Sequence, residues 1–204
     1  YQKPLALGAD LVVYSCTKYI GGHSDLIAGA CLGSAEDIAA IKKKRSAKGD
    51  MLDPHTASLL LRSMETLKVR MEAQTASAIR IADHLAQHPK VPRVYYPGQL
   101  AMTGPEAQRV IYERQCFGPG ALISFDVAGG KAGAFLFLNA LARIGIIKLA
   151  VSLGGTESLA SHPFAMTHLG VEANTKLRHG ITESMVRLSI GLENPDDLIH
   201  MLDD

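Results

Sequence analysis

The sequence predicts a mixed α/β fold in two parts, and three observations carry that prediction. Short apolar runs of strand length, several of them β-branched, recur at 11–14, 26–32, 93–96, 121–127, 148–152 and 185–190. Between them lie stretches whose apolar side chains return at helical spacing, two of them opened by an Asp-Pro or Asn-Pro start signal. A chain of 204 residues, at about 150 residues per domain, makes one large unit or two small ones.

Taken in order, Leu11 to Tyr14 is a polar-flanked apolar run, the pattern of a strand buried on both faces as in a parallel sheet. Leu26 to Leu32 reads as a second buried strand, followed by a helix from Glu36 to about Lys44. The next segment, KKKRSAKGD, reads as a basic, turn-rich and solvated run. Asp53-Pro54 then starts a helix whose apolar positions Leu60, Met64, Leu67, Met71, Ala78, Ile81 and Leu85 form one core-facing stripe up to His88-Pro89. A single helix of that length often leaves one domain and enters another, which places a boundary near Ser63. Beyond it, strands at 93–96, 121–127, 148–152 and 185–190 alternate with helices at 105–115, 131–143, 172–179 and 195–203. Acids at Asp196 and Asp197 complement the dipole of the last helix.

Composition narrows the function classes. Lys+Arg 21 against Asp+Glu 20 leaves +1, without the basic excess that grips nucleic acid or an anionic membrane. Apolar residues at 47% with 20% charged supply a globular core. No run approaches the ~18 apolar residues of a membrane span, and Tyr1-Gln2-Lys3-Pro4 resembles neither a signal nor a transit peptide. Three cysteines (Cys16, Cys31, Cys116), odd in number and without a CxxC, are expected to be reduced and mostly buried, in a cytoplasmic protein. The chain opens without Met, so a processed or truncated product is expected.

The most informative stretch runs from Ser15 to Asp25. Ligands of open α/β sheets bind beyond the carboxyl ends of strands, and here Ser15, Thr17 and Lys18 are delivered to such an end. A lysine that condenses with a carbonyl must shed its proton, which partial burial and a nearby cation favour. Ser15 and Thr17 alternate with Cys16, so both hydroxyls can face one phosphate. On spacing alone, however, a lysine after a strand reads as a solvated loop residue. Arg187 is a second candidate: Val186, Leu188 and Ile190 share one strand face, leaving Arg187 with Ser189 on the other. An arginine there calls for an anion, either a ligand or an acid such as Glu157 or Glu183. His23, His162 and His168 form no helical i,i+4 pair of metal-ligand type and read as hydrogen-bonded structural or pocket-edge residues, so no metal is assigned. Gly154-Gly155 after a strand reads as a turn.

The string SxTKYxGGHSD at Ser15–Asp25, followed by AGA, resembles the lysine segment of the pyridoxal-phosphate enzymes of Cys/Met metabolism, the family of methionine γ-lyase, cystathionine γ-lyase, cystathionine γ-synthase and the O-acylhomoserine sulfhydrylases. LDPHTASLLLRSMETL (Leu52–Leu67), VSLGGTESLASHPFAMTH (Val151–His168) and GITESMVRLSIGLENPDDLI (Gly180–Ile199) resemble the same family in the same order. The likeness implies a fold of the aspartate aminotransferase-like, fold type I class. Residues 1–62 would be the end of the large cofactor-binding domain, and 63–204 a smaller mixed α/β C-terminal domain.

By the same resemblance, Lys18 holds pyridoxal 5′-phosphate as a Schiff base and then shuttles protons, while Ser15 and Thr17 bind the cofactor phosphate. Arg187 clamps the substrate α-carboxylate, a task suited to the planar guanidinium fork, and Ser152 lines the same pocket. The implied reaction is a γ-elimination or γ-replacement on methionine, cystathionine or an O-acylated homoserine. Family members also carry, ahead of the lysine, a glycine-rich phosphate turn, a tyrosine stacked on the cofactor ring, an aspartate for the ring nitrogen and a Tyr/Arg pair given across a dimer. Only 17 residues precede Lys18 here, and Asp10 precedes the apolar strand at its far end. The expectation is therefore the C-terminal half of such an enzyme, feeble by itself, in a homodimer or homotetramer or paired with a missing N-terminal half. The competing expectation is a truncated, non-catalytic binding or assembly module of the same fold.

Overall fold

The computed structural model describes residues 1–203. A 3₁₀ turn at Pro4–Leu7 leads into β1 (Leu11–Ser15), which pairs antiparallel with β2 (Gly29–Gly33), Leu11 opposite Gly33 and Ser15 opposite Gly29. This corrects the expected parallel, doubly buried strand: Val12 is buried, but Val13 is 78% exposed. An apolar run marks a strand, whereas its partners and the cover on its faces come from distant chain. The helix α1 (Ala35–Lys48) continues through the lysine run expected to be turn-rich, since Lys, Arg and Ala are good helix formers. Ser34 caps it by accepting from the Asp37 N–H at 3.1 Å, and Gly49, at φ +78°, ends it.

The single long helix expected from Asp53 to His88 is two helices, α2 (Pro54–Glu65) and α3 (Leu67–Gln87), broken at Thr66 with φ −99° and ψ 1°. The Thr66 hydroxyl donates to Ser63 O at 3.2 Å, the local bond by which a β-branched hydroxyl residue competes with helix continuation. The apolar stripe divides at the same place. Ala78, Ile81 and Leu85 are core, but Met64 is 50% exposed and, with Met71, lines a hollow beside the lysine segment.

The second sheet, five-stranded among the described residues, is built from β3 (Arg93–Tyr95), β4 (Leu122–Asp126), β5 (Lys148–Leu149), β6 (Leu159–Ser161) and β7 (Met185–Ser189). Its order is β3-β4-β7-β6-β5, antiparallel except for β5 with β6. The helices α4 (Pro97–Thr103), α5 (Glu106–Gln115), α6 (Gly130–Ile144), α7 (Ala173–Arg178) and α8 (Pro195–Asp203) complete the chain. Neither β6 nor α4 is signalled by the sequence: β6 is three residues long, too short for a periodicity.

One face of this sheet carries the core. Ile123 and Phe125 from β4 and Val186, Leu188 and Ile190 from β7 and its end pack with α3, α6 and α8, where Ile81, Leu141 and Leu198 are fully buried. At the edge, the buried Asp126 carboxylate accepts from the hydroxyls of Tyr95 at 2.7 Å, Ser184 at 2.9 Å and Thr182, which satisfies a charge that would otherwise be costly to bury.

Tyr96 is buried and donates its hydroxyl to Gly120 O at 2.8 Å, and burial pushes its pKa above the ordinary tyrosine value. Because the folded pKa is the higher one, the unfolded state releases its proton first as pH rises. The stability this group contributes is therefore complete below about pH 10 and is lost above it at about 1.4 kcal/mol per pH unit. Urea unfolding between pH 9 and 11 is expected to show that decline, and Tyr96→Phe to flatten it.

Candidate active site

Strand geometry ends at Ser15. Residues Cys16–Ile20 make a wide helical turn in which the Gly21 N–H reaches Cys16 O at 2.7 Å and the Gly22 N–H reaches Lys18 O at 2.7 Å. Lys18 interrupts the turn with a non-helical backbone, φ −88° and ψ −135°. The period-two argument that would point Ser15 and Thr17 the same way therefore stops at Ser15. Ser15 opens with Lys18 on a hollow of about 920 Å³ also lined by Tyr1, Tyr14, Met64 and Leu67. Thr17 opens instead on a hollow of about 620 Å³ shared with Ser152, Glu157 and Thr56. Its hydroxyl is engaged: it accepts from the Ala28 N–H at 3.0 Å and donates to Ala28 O at 3.3 Å, fastening the turn to the chain leading into β2.

Lys18 and Ser152 do meet. The Lys18 Nζ donates to Ser152 Oγ at 3.2 Å across 134 positions of chain, and Ser152 sits in the loop after β5. That loop is tied to the exit of β7. The Gly154 N–H donates to Ser189 Oγ at 2.8 Å, and the Glu193 carboxylate accepts from the N–H and hydroxyl of Ser158 at 2.6 and 2.7 Å. Gly154 has φ +79°, and a Cβ there would lie 2.7 Å from the Tyr19 backbone N and 3.0 Å from the Tyr19 ring. Gly154→Ala is accordingly expected to destabilise the fold by about 2–4 kcal/mol, from the left-handed backbone and the overpacking together. Urea unfolding of the variant measures this directly.

Arg187 lies on β7 opposite Ser124 of β4 and Ser161 of β6, on the sheet face away from the helices. Its Nη2 donates to Val151 O at 3.2 Å and more weakly to Ser152 O at 3.4 Å. The ion-pair alternative does not form. Glu157 is held by Lys148 at 2.6 Å, and Glu183 faces Lys131 at 3.9 Å. Among the described residues no carboxylate reaches Arg187, although burial depresses its pKa. A half-buried cation without a counter-charge is a place for an anion.

Tyr19, to which the sequence motif assigns no role, lies against Gly154 in the Ser152 loop. Burial raises its pKa, opposed in part by Ser189 and Arg187 beside its hydroxyl. The three cysteines are free, but only Cys16 is buried, fewer than expected. His162 is buried, with Nδ1 accepting from the Ala165 N–H at 3.1 Å and Nε2 2.9 Å from Glu183 O, a structural role. Among the described residues no group of three metal-ligand side chains converges, and no helix is long and apolar enough to cross a membrane.

The sequence profile of the Cys/Met metabolism PLP-dependent enzymes matches residues 1–204. The chain belongs to that family. It is 42% identical over 200 residues to the L-methionine gamma-lyase of Pseudomonas putida, covering 97% of this chain and 48% of that protein. It is 40% identical over 197 residues to the chloroplastic cystathionine gamma-synthase 1 of Arabidopsis thaliana, covering 97% and 34%. The crystal structure of cystathionine gamma synthase from Xanthomonas oryzae pv. oryzae, in complex with aminoacrylate and cysteine, superposes with a TM-score of 0.90 at 41% identity, over 99% of this chain and 51% of that one. The chain thus spans about half the length of the methionine gamma-lyase it matches. Its mixed α/β fold is that of the family's lyase and synthase structures, and pyridoxal phosphate is the family's cofactor.

Proposed function

We propose that this chain carries the lysine and carboxylate-binding side of a pyridoxal-phosphate-dependent lyase or transferase acting on sulfur amino acids. The reaction is a γ-elimination or γ-replacement on methionine, cystathionine or an O-acylated homoserine. The observation that carries this reading is the convergence of Lys18 and Arg187 on Ser152, the first on its hydroxyl and the second on its carbonyl, with no carboxylate reaching Arg187 among the described residues.

The residues fit the cofactor in part. Among the described residues the Lys18 amine is engaged by Ser152 alone, and Ser15 is exposed at the rim of the larger hollow, so Lys18 would hold the aldehyde carbon and Ser15 the phosphate. Thr17 would join Ser15 only by releasing Ala28. Bound there, pyridoxal phosphate supplies the electron-withdrawing ring that acidifies the substrate Cα–H. Arg187 orients the substrate by its α-carboxylate, Lys18 Nζ accepts the Cα proton, and Ser152 Oγ keeps the amine pointed at that carbon.

The division at Ser63, with 1–62 belonging to a cofactor-binding unit and 63–204 forming the C-terminal one, is supported by the main core, whose buried members begin at Ala78. Assembly with further chain, as a homodimer, a homotetramer or with an N-terminal half, is supported by exposed apolar residues around the first sheet, including Val13 at 78% and Ile27 at 87%. The same exposure is what a non-catalytic assembly module would show, and one experiment separates the two. The full-length protein is incubated with pyridoxal phosphate, reduced with borohydride and mapped by mass spectrometry. A pyridoxyl group on Lys18 supports the enzyme; label elsewhere, or none, leaves the assembly module.

A further inference from the structure

Two buried polar side chains on α3 touch neither of the hollows around Lys18, yet each holds one of the two segments that meet there. Arg70 is 4% exposed and has no carboxylate partner among the described residues. Its guanidinium instead collects acceptors from both sides. Nη1 donates to Tyr19 O at 2.8 Å, Nη2 to Ile20 O at 3.3 Å and Ser63 O at 2.9 Å, and Nε to Thr66 Oγ1 at 3.1 Å. The lysine turn is thus seated directly on the guanidinium, so closely that a Cβ at Gly22 would stand 1.9 Å from Arg70 Nη1. One helical turn on, Gln74 is 0% exposed and its Nε2 donates to Gly155 O at 2.6 Å, in the loop that carries Ser152. Residues four apart lie on one helix face.

We infer that Arg70 and Gln74 are positioning residues: as an i,i+4 pair on one rigid helix, they set the spacing of Lys18 from Ser152. This rests on the function proposed above. Stability does not account for either choice. The Gln74 Oε1 is buried without a hydrogen-bond partner, a penalty that cancels much of what the bond to Gly155 O contributes. Burial also depresses the pKa of Arg70, so its charge is kept at a cost and spent on carbonyl oxygens. Only a guanidinium presents donors in a planar fork to three such carbonyls; a lysine ammonium would not span them.

The test uses full-length wild-type protein, Gln74→Leu and Arg70→Lys. The readouts are thermal midpoint, kcat and KM with L-methionine and cystathionine, the pH at which the visible band of bound pyridoxal phosphate titrates, and the rate at which trinitrobenzenesulfonate labels Lys18 in cofactor-free protein. For Gln74→Leu the midpoint falls only slightly, the lost bond to Gly155 O being offset in part by removal of the unpaired Oε1, while kcat falls about 10- to 100-fold, KM moves little, the band titrates at a different pH and Lys18 labelling becomes faster. Arg70→Lys moves kcat, the titration and the labelling in the same directions with a lower midpoint. If the titration and labelling rate match wild type in both variants, and kcat falls only with the midpoint, the pair is merely structural and the inference is overturned. Should borohydride fail to mark Lys18 in wild type, the functional reading falls by itself. The cofactor-free labelling rates then still decide whether the pair positions Lys18, and unchanged rates overturn it.

Discussion

Lys18→Ala is expected to lower turnover by about 10⁴-fold or more, since one change removes both the proposed covalent anchor and the proposed general base. It should leave the fold in place. The amine makes a single hydrogen bond, to Ser152, so its removal costs about 1 kcal/mol or less. Lys18→Arg sharpens the test, because a guanidinium keeps the positive charge but does not deprotonate or condense with an aldehyde in this pH range. Turnover should fall as far as in the alanine variant. Steady-state kinetics beside urea unfolding measures both quantities, and either variant turning over within tenfold of wild type would refute the assigned role.

For Arg187→Leu the activity and stability readouts are expected to part company. A structural ion pair broken at one partner would destabilise by about 3–5 kcal/mol, because a buried charge would be left unpaired. Arg187 has no such partner among the described residues: Glu157 and Glu183 pair with Lys148 and Lys131. The losses are two moderate bonds to Val151 O and Ser152 O, offset by removal of a desolvated cation, so stability should change by about 1 kcal/mol or less. Losing the fork proposed to hold the substrate carboxylate should instead lower kcat/KM by about 10²- to 10³-fold. Arg187→Lys should recover only part of this, a point charge replacing a bidentate donor. A loss of several kcal/mol with kcat/KM intact would return Arg187 to a structural role.

The local elements were mostly readable from the chain, and the departures share a cause. The last helix, Pro195–Asp203, is where its proline, acids and apolar spacing put it, because each signal acts within a few residues of its effect. The break at Thr66 was not readable, since the apolar stripe runs through it and the stop is favoured by two donors, the Thr66 hydroxyl and the buried Arg70, that meet on Ser63 O. Thr17 shows the same limit inside the site. Alternation in a strand aims it with Ser15, but the chain leaves strand geometry at Cys16 and Ala28 takes the hydroxyl. Tyr19, Arg70 and Gln74 carried no signal, as an interior polar residue on an amphipathic helix cannot be told from a solvated one without its neighbours.

By itself, the sequence determined the alternation of strands and helices, the delivery of Lys18 to a strand end, and the family, through ordered motifs that need no coordinates. Only the tertiary structure decided that β1 pairs antiparallel with β2, that Ser152 stands 3.2 Å from an amine 134 positions away, and that Arg187 is left without an anion among the described residues. Periodicity and capping are short-range interactions written in adjacent residues. Strand pairing and the cancellation of buried charge depend on which distant segments the packed core brings into contact.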